Sequence, residues 1–384
     1  MQHVSVLESV LDGGPLEFHD PWQTVQRILA RKHQYGITRL GSVTELDWIR
    51  IPVVQVVRPE SLSVSVNQGK GLTFPLAAIS ALMESLEGWA SERISSDIVT
   101  TAPFSELNKN MLWSYLDAGD SIEPLSWIAG VDLLSGNRLS VPLALVDTTY
   151  TFPSPHPRWM PRDTTGLAAG TSVRQATIHA CLEILERHAR CKAMRTPHFF
   201  DRYQVASRSV TSGSAGEILE KLNAVGFTVG IWQIPAPHEL PVYWCQIMEG
   251  SDRASFAPLP GEGFGCDLSH DRALTKALLE ACQSRLGVIS AAREDIRTEL
   301  YGNADATELT AWRKRLASGG RLITWQEPPV NHDRTFQHVL KAMQLAGARA
   351  VALVMLYTDD EVPLHVVRVV APPLETNPEI YYAQ

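Results

Sequence analysis

The stretch GLAAGTSVRQATIHACLEILER, residues 166–187, joins a small-residue segment to a helical pattern that contains two acids. The glycine- and alanine-rich residues 166–170 predict a turn, and the apolar spacing that follows predicts an amphipathic helix. Glu183 and Glu186 are three positions apart, so their carboxylates lie within ~60° of each other on one helix face. A strand, a glycine turn and a helix therefore form one predicted unit.

An earlier stretch of the chain repeats this order of elements. The alternating residues 62–66 predict a strand, Gly-Lys-Gly at 69–71 predicts a turn, and a helix is predicted to run to about Ile94. Glu84 and Glu87 again stand three positions apart on one face of that helix. Two such units predict an α/β, mixed α+β fold.

The remaining patterns predict further elements around these two units. Residues 1–58 form an N-terminal segment that we expect to pack on a main domain, residues 59–384. The segment 152–163 contains too many prolines for a helix or a central strand, so it predicts an ordered surface loop. Helices are predicted at 21–33 and 271–292, and strands at 51–57, 242–248, 351–357 and 365–372.

The composition predicts a globular protein. The chain has 384 residues and is 45% hydrophobic, enough to bury a large core. A formal net charge of -8, without a run of Lys and Arg, argues against nucleic acid as a partner. No signal peptide and no span of ~20 apolar residues is evident, so we expect a cytoplasmic protein without membrane association. Five cysteines without a CxxC pair predict reduced, buried thiols: Cys181, Cys191, Cys245, Cys266 and Cys282.

Each acid pair has two interpretations when it is considered alone. On a solvated helix surface, one pair costs only a few tenths of a kcal/mol, roughly, and needs no function. Four carboxylates that converge would be costly to bury without counter-charges, and hard divalent cations that bridge phosphates are suitable counter-charges. The pattern alone leaves both interpretations open, and the second predicts Mg²⁺ together with a nucleotide.

Three motifs occur in order along the chain. GKG leads into SAxxExxE within 69–93, GLAAGT leads into ExxER within 166–190, and EAxQSRL is followed by ARED within 276–295. In this order and spacing the chain resembles the YcaO family. The resemblance implies the YcaO fold, with an ATP site between helices of pseudo-repeated strand-turn-helix units, where glutamates of two helices coordinate the Mg²⁺ ions that hold ATP. The absence of a GxxxxGK[ST] motif fits such a site.

The resemblance also assigns individual residues. The metal-binding glutamates of the family match Glu84, Glu87, Glu183 and Glu186, and an arginine that contacts phosphate matches Arg187. Other positions that match nucleotide contacts are Thr24, Ser80, Thr171, Gln175, Lys276, Gln283 and Arg285. Ser80 matches the serine of the SA motif, where a small residue serves either ligand binding or helix packing, and both interpretations stay open. No residue is assigned as a general base.

Three of these residues differ from the usual family residue. Thr171 stands where many members have asparagine, and its hydroxyl can still bond a nucleotide. Gln175 replaces a glutamate, which removes a negative charge and keeps an acceptor. Lys276 replaces an arginine, so a point charge stands where a bidentate fork is usual. Lys70 and Arg293 stay outside the predicted site, because turn formation and surface charge explain them.

The resemblance implies that ATP activates a peptide backbone amide by phosphorylating its oxygen. External sulfide as the nucleophile gives a thioamide, and a neighbouring Cys, Ser or Thr side chain gives an azoline ring. Residues 36–54 and 66–87 look most like the branch that works beside a TfuA partner, which favours thioamide formation. Many azoline-forming members end in a proline-rich tail, whereas residues 375–384 contain Pro378 alone.

The resemblance also predicts partners. No fused leader-binding domain is recognised, so we expect a precursor peptide or protein substrate and a TfuA-like or other leader-binding partner protein. Two alternatives stay open: an azoline-forming cyclodehydratase, and an accessory or non-catalytic ATP-binding protein for modification of a ribosomal protein. A homodimer is compatible with the sequence.

Overall fold

The structure is a computed structural model that combines helices and sheets, as the sequence predicts. It describes residues 10, 20–108, 111–116, 123–250, 257, 259–296, 305–317, 323–326, 336–359 and 361–376. Of residues 375–384, which the sequence analysis compared with a proline-rich tail, residues 377–384 lie outside the described residues.

Helices and groups of strands follow one another along the described part of the chain. The helices are α1 Pro21–Ala30, α2 Phe74–Ser91, α3 Phe104–Leu107, α4 Val173–Met194, α5 Phe199–Arg202, α6 Gly213–Ala224, α7 His270–Ser290, α8 Ala306–Ala317 and α9 Phe336–Ala346. The strands are β1 Arg39–Ser42, β2 Val53–Val57, β3 Val66–Lys70, β4 Val99–Pro103, β5 Pro124–Asp132, β6 Arg138–Pro142, β7 Leu167–Gly170, β8 Gln204–Val205, β9 Phe227–Gln233, β10 Val242–Glu249, β11 Gly261–Cys266, β12 Ala352–Asp359 and β13 Leu364–Val370.

The strands form three sheets whose neighbouring strands are antiparallel. The first has the order β1-β2-β3, and the second β11-β10-β9-β8. The third has the order β4-β5-β12-β13-β7, with β6 on β5. Because Val57 of β2 pairs with Val66 of β3, the first sheet crosses the boundary predicted between residues 58 and 59. The division into an N-terminal segment and a main domain stays a prediction.

Three strand-helix units repeat, one more than the two that the sequence analysis recognised. β3 leads to α2, β7 to α4 and β11 to α7. Each helix begins after a hydroxyl N-cap, Thr73, Ser172 or Ser269, whose side chain accepts the backbone N–H three residues further on. Each helix also contacts the strand of another unit, α2 with β7, α4 with β11 and α7 with β3. The three units therefore close into a ring.

The predicted turns at 69–71 and 166–170 were largely wrong, because strands occupy most of these residues. Gly69 lies in β3, where a Cβ would collide with the backbone of α2 at Ala77 and Ala81. Its φ is not positive, so the glycine serves close helix packing instead of a turn. The strand predicted at 62–66 accordingly lies later, at Val66–Lys70.

Other predictions agree with the described residues. The long strands and helices lie within a few residues of their predicted positions, and 152–163 contains no helix or strand. All five cysteines are free and buried, as expected. No helix in the described part of the chain combines the length and apolar character that a bilayer crossing needs.

Candidate nucleotide and metal site

The three repeated helices carry polar residues at equivalent positions. Eleven residues after each N-cap stands a glutamate: Glu84 in α2, Glu183 in α4 and Glu280 in α7. Fourteen residues after each N-cap stand Glu87, Glu186 and Gln283. Because the units close into a ring, the same helical register brings these six side chains toward one region between the three helices, which we call the cleft.

The second residue of each set bonds the backbone of another unit. Glu87 Oε1 accepts the N–H of Ala169 in β7 at 2.8 Å, and Glu186 Oε2 accepts the N–H of Cys266 in β11 at 3.1 Å. Gln283 completes the ring, since its Nε2 donates to the backbone oxygen of Gln68 in β3 at 3.0 Å. Each of these bonds therefore joins a repeated helix to the strand of another unit.

The first residue of each set stays partly open to the cleft, with 38, 23 and 34% of the Glu84, Glu183 and Glu280 side chains exposed. Glu183 Oε2 accepts the N–H of Gly166 at 2.9 Å, while Glu280 Oε2 lies 2.8 Å from Lys70 Nζ. Glu280 Oε1 accepts the N–H of Phe264 at 3.4 Å, so Glu84 and Glu183 are the members of this set with an oxygen that can meet a ligand.

Electrostatics show that the glutamates converge. Burial, and next the charge of Glu84, raises the pKa of Glu87 well above its ordinary value. Burial, and next the charge of Glu280, raises the pKa of Glu186 to about 7. Burial likewise raises the pKa of Glu84 and of Glu183. The negative charge of Glu183, across the cleft, contributes to the raised pKa of Glu84. The structure thus brings the four predicted metal-binding glutamates together.

Cations border the same cleft. Arg187 Nη2 lies 3.5 Å from Glu183 Oε1, and although burial opposes its charge, Glu183 and Glu186 raise the pKa of Arg187. Lys276 Nζ lies 2.6 Å from Asp267 Oδ2 and acts electrostatically on Glu186. Mixed carboxylates and cations suit a ligand that combines phosphates with divalent metal.

Glu280 and Lys70 are members of the cluster that the sequence prediction did not assign. Burial opposes the ionisation of Glu280, but Lys70 holds its pKa below the ordinary value, so this carboxylate is charged at neutral pH. Arg293 also takes part, since its Nη1 lies 3.5 Å from Glu84 Oε1. Glu280 stands eleven residues after its N-cap, as Glu84 and Glu183 do, and this shared spacing was the sequence signal that could have identified it.

Three predicted residues lie in or next to the first two turns of a repeated helix, Ser80 in α2 and Thr171 and Gln175 at the start of α4. Ser80 Oγ accepts the N–H of Lys70 at 3.4 Å, joining α2 to its strand. Thr171 donates from its backbone and from its hydroxyl to Gln175 Oε1, at 2.7 and 3.0 Å. Two of the three residues that differ from the usual family pattern therefore bond each other, and their contact with ATP stays a prediction.

Two predicted residues are not brought into the cluster. The hydroxyl of Thr24 donates within α1 to the oxygen of Asp20, and no contact among the described residues joins it to the glutamates. Arg285 has 1% of its side chain exposed and bonds Asp47 and Glu249. Five positions beyond Glu280, Arg285 lies ~140° around the helix, so helix geometry places it away from the cleft although the family motif matches it to a nucleotide contact.

The donor set fits Mg²⁺ that arrives with a nucleotide. In the described part of the chain, no three His, Cys, Asp or Glu side chains lie close enough to hold a metal ion on their own. Mg²⁺ commonly takes one or two protein carboxylates and completes its shell with phosphate oxygens and water. Glu84, Glu183 and Glu186 would supply such carboxylates, and Arg187 would face the phosphates.

Fold and geometry together define a mixed α+β protein in which carboxylates from three helices and nearby cations meet at one cleft. The chain belongs to the YcaO family, because the model of that family, described as a YcaO cyclodehydratase that binds ATP and Mg²⁺, matches residues 68–375. ATP and Mg²⁺, the predicted cofactors, are those of the family.

Relatives and solved structures agree with this assignment. An uncharacterised protein of Mycobacterium tuberculosis is 30% identical over 92% of this chain and 81% of its own length. An uncharacterised protein encoded in the tfuA 3′ region of Rhizobium leguminosarum bv. trifolii is 29% identical over 97% and 92%. YcaO from Methanopyrus kandleri, solved with AMPPCP and Mg²⁺, matches the fold with a TM-score of 0.69, 21% identity and coverage of 94% and 92%.

Binding of Mg²⁺·ATP is expected to strengthen as the pH rises toward about 7. The raised pKa of Glu186 means that the carboxylate which a metal requires forms only near that pH. Between about pH 4.5 and 7 the folded chain holds a proton that the unfolded chain has lost, so ligand-free stability falls as the pH rises. Calorimetric titration from pH 5.5 to 8.5 would measure the affinity.

The nucleotide phosphates also titrate near this range, so Glu186→Gln serves as the control. Its pH profile keeps the contributions of the nucleotide and of the other glutamates and loses that of Glu186. Identical profiles for the two proteins would show that Glu186 does not titrate on binding.

Proposed function

We propose that the chain uses ATP to phosphorylate the oxygen of a peptide backbone amide, in order to form a thioamide with a TfuA-like partner protein. The observation that supports this most is the cluster, in which glutamates from three helices and the cations Arg187, Lys70 and Lys276 meet at one cleft. A site of that composition suits transfer of a phosphoryl group.

The reaction overcomes a leaving-group problem. The γ-phosphoryl group passes to the amide oxygen, the bond to the β-phosphate breaks and ADP leaves. Sulfide then adds to the amide carbon, and phosphate departs with the original oxygen. Mg²⁺, when bound, neutralises the charge of the transferring phosphates.

The protein side chains have separate parts in this scheme. Glu84, Glu183 and Glu186 hold the metal-bound nucleotide in register. Arg187 can donate two hydrogen bonds to phosphate oxygens, whereas Lys276 provides a single point charge. Lys70, tied to Glu280 at 2.8 Å, keeps that carboxylate ionised beside the phosphates.

The identity of the nucleophile decides between two products. The relative from a tfuA 3′ region supports thioamide formation with a TfuA-like partner. The description of the family as a cyclodehydratase supports the alternative, in which a Cys, Ser or Thr side chain closes an azoline ring. Either product comes from a precursor peptide, and both need the same phosphorylated amide.

Mass spectrometry distinguishes these outcomes. The protein is incubated with Mg²⁺, ATP, sulfide, a candidate precursor peptide and the TfuA-like partner, and the peptide is weighed. We expect exchange of one oxygen for sulfur, together with production of ADP. A parallel reaction with Glu84→Gln, in which the site loses one carboxylate, is expected to leave the peptide unchanged.

The other results identify the alternatives. Loss of water instead of exchange indicates ring closure and replaces the thioamide proposal. An unmodified peptide with no ADP, in the presence of the correct partner, indicates an accessory or non-catalytic ATP-binding protein.

A further inference from the structure

A second cavity lies beside the glutamate cluster. It has a volume of about 70 Å³, several times the ~10–15 Å³ that one water molecule needs. We call it the Arg368 pocket, and its polar lining consists of Tyr115, Asp163, Thr165, Arg368 and Thr376.

The pocket and the cluster share a wall. Ile184 lines the pocket, and its neighbour Glu183 belongs to the cluster. A second connection runs through the chain before β7. Thr165 lines the pocket, and the N–H of its neighbour Gly166 donates to Glu183 at 2.9 Å. A molecule in the pocket would therefore lie next to the group that holds the nucleotide.

Arg368 provides the pocket with buried hydrogen-bond donors. Its side chain is 4% exposed, and its Nη2 donates to the backbone oxygen of Asp163 at 2.9 Å. Among the described residues, its Nε and Nη1 have no acceptor. Buried donors of a charged group are costly to leave unpaired, so an acceptor in the pocket would be favoured.

The surrounding charges favour an uncharged acceptor. Asp163 Oδ1 lies 3.4 Å from Arg368 Nη2 and already offsets its positive charge. Glu183, on the shared wall, is paired with Arg187 at 3.5 Å, so this pair adds no net charge next to the pocket. A ligand carboxylate would be repelled by Asp163, whereas a peptide carbonyl accepts the hydrogen bonds without adding charge.

The rest of the pocket suits an apolar side chain. Its apolar lining includes Leu145, Pro161, Ile184 and Leu374. Tyr115 stays 41% exposed at the pocket. Rigid aromatic and aliphatic surfaces of this kind bind apolar side chains at low entropic cost.

We infer that the Arg368 pocket binds the substrate peptide next to the reacting amide, with a backbone carbonyl on Arg368 and an apolar side chain against the walls. The role of this pocket in placing the reacting amide rests on the proposed function. Its ability to bind a peptide unit is independent of any reaction and can be measured directly.

N-acetyl-leucine methylamide is a suitable probe, because it contains two peptide carbonyls and one apolar side chain. It is titrated into the full chain, labelled on isoleucine δ-methyl groups, and the methyl signal of Ile184 is followed by NMR. We expect a saturable shift. N-acetyl-leucine, which carries a carboxylate, is expected to bind about tenfold more weakly, a difference of about 1.4 kcal/mol.

Two variants test the lining. Arg368→Met is expected to weaken the probe about tenfold, because it removes the buried donors. Tyr115→Ala, at a partly exposed position, is expected to weaken it several-fold and provides a second test if Arg368→Met does not fold. Arg208→Met, at an exposed arginine elsewhere, is the matched control and is expected to bind like the unchanged protein.

The results separate this inference from the proposed function. The peptide pocket is overturned if the Ile184 signal does not shift, or if both Arg368→Met and Tyr115→Ala bind the probe as tightly as the unchanged protein does. Either result counts against the pocket even if ATP-dependent modification is observed. Stronger binding of N-acetyl-leucine than of the methylamide overturns the assignment of an uncharged acceptor. Probe binding that follows the expected order supports the pocket, even if no peptide is modified.

Discussion

Replacement of Glu186 by glutamine is expected to weaken Mg²⁺·ATP binding about 100-fold, or about 2.7 kcal/mol. Glutamine keeps the shape of the side chain and its bond to the N–H of Cys266, but it removes the negative charge that a metal ion requires. Glu84→Gln is expected to act in the same direction, because Glu84 belongs to the same cluster. Calorimetric titration with a non-hydrolysable ATP analogue and Mg²⁺ would measure both affinities.

The same substitution is expected to leave the ligand-free fold intact or more stable. Burial and the charge of Glu280 disfavour the ionised form of Glu186, so above about pH 7 its charge costs folding free energy. Glu308→Gln, at an exposed position of α8, is the matched control for loss of a carboxylate. Unchanged ATP affinity in both Glu84→Gln and Glu186→Gln, with normal folding, would overturn the assignment of the site.

The helical part of the site was predictable because its information is local. A spacing of three places Glu84 beside Glu87 on one face, whatever the rest of the chain does. The spacing did not predict that separate helices converge. That convergence depends on the contacts of α2 with β7 and of α4 with β11. The resemblance to a family supplied that step before the structure showed it.

The third helix shows what a closer comparison of the repeats would have added. Glu280 stands at the same distance from its N-cap as Glu84 and Glu183, and it was within the motif that supported the resemblance. It was missed because Gln283 replaces the second acid, so α7 contains no glutamate pair at a spacing of three. Alignment of the three helices on their hydroxyl N-caps would have identified Glu280, because that alignment does not require an acid at position 283.

Gly69 and Arg285 show why motif membership does not determine a role. Glycine near a helix start predicts a turn from local propensity, yet Gly69 lies in a strand because α2 packs against its backbone. Arg285 belongs to the same motif as Gln283, but two positions along a helix rotate its side chain by ~160°. Both outcomes depend on tertiary packing, which the local pattern does not specify.

Replacement of Arg285 by alanine is expected to lower the free energy of unfolding by about 3–5 kcal/mol. Arg285 Nε lies 2.5 Å from Asp47 Oδ2, Nη2 bonds Glu249, and Nη1 donates to the backbone oxygen of Ala257. All three charged side chains are about 1% exposed, so the variant would leave two buried carboxylates without their counter-charge. Urea unfolding would measure the loss, with Arg208→Ala at an exposed arginine as the control.

The nucleotide affinity of the folded Arg285→Ala protein decides between the two roles of this arginine. If Arg285 stabilises the fold, Mg²⁺·ATP affinity at a temperature well below the unfolding transition should match that of the unchanged protein. If it contacts ATP, as the family motif implies, the affinity should fall about tenfold or more, because a charge-assisted hydrogen bond is worth about 1.5–3 kcal/mol. We expect the first result, since a side chain enclosed by Asp47 and Glu249 would have to break both ion pairs to reach the cleft.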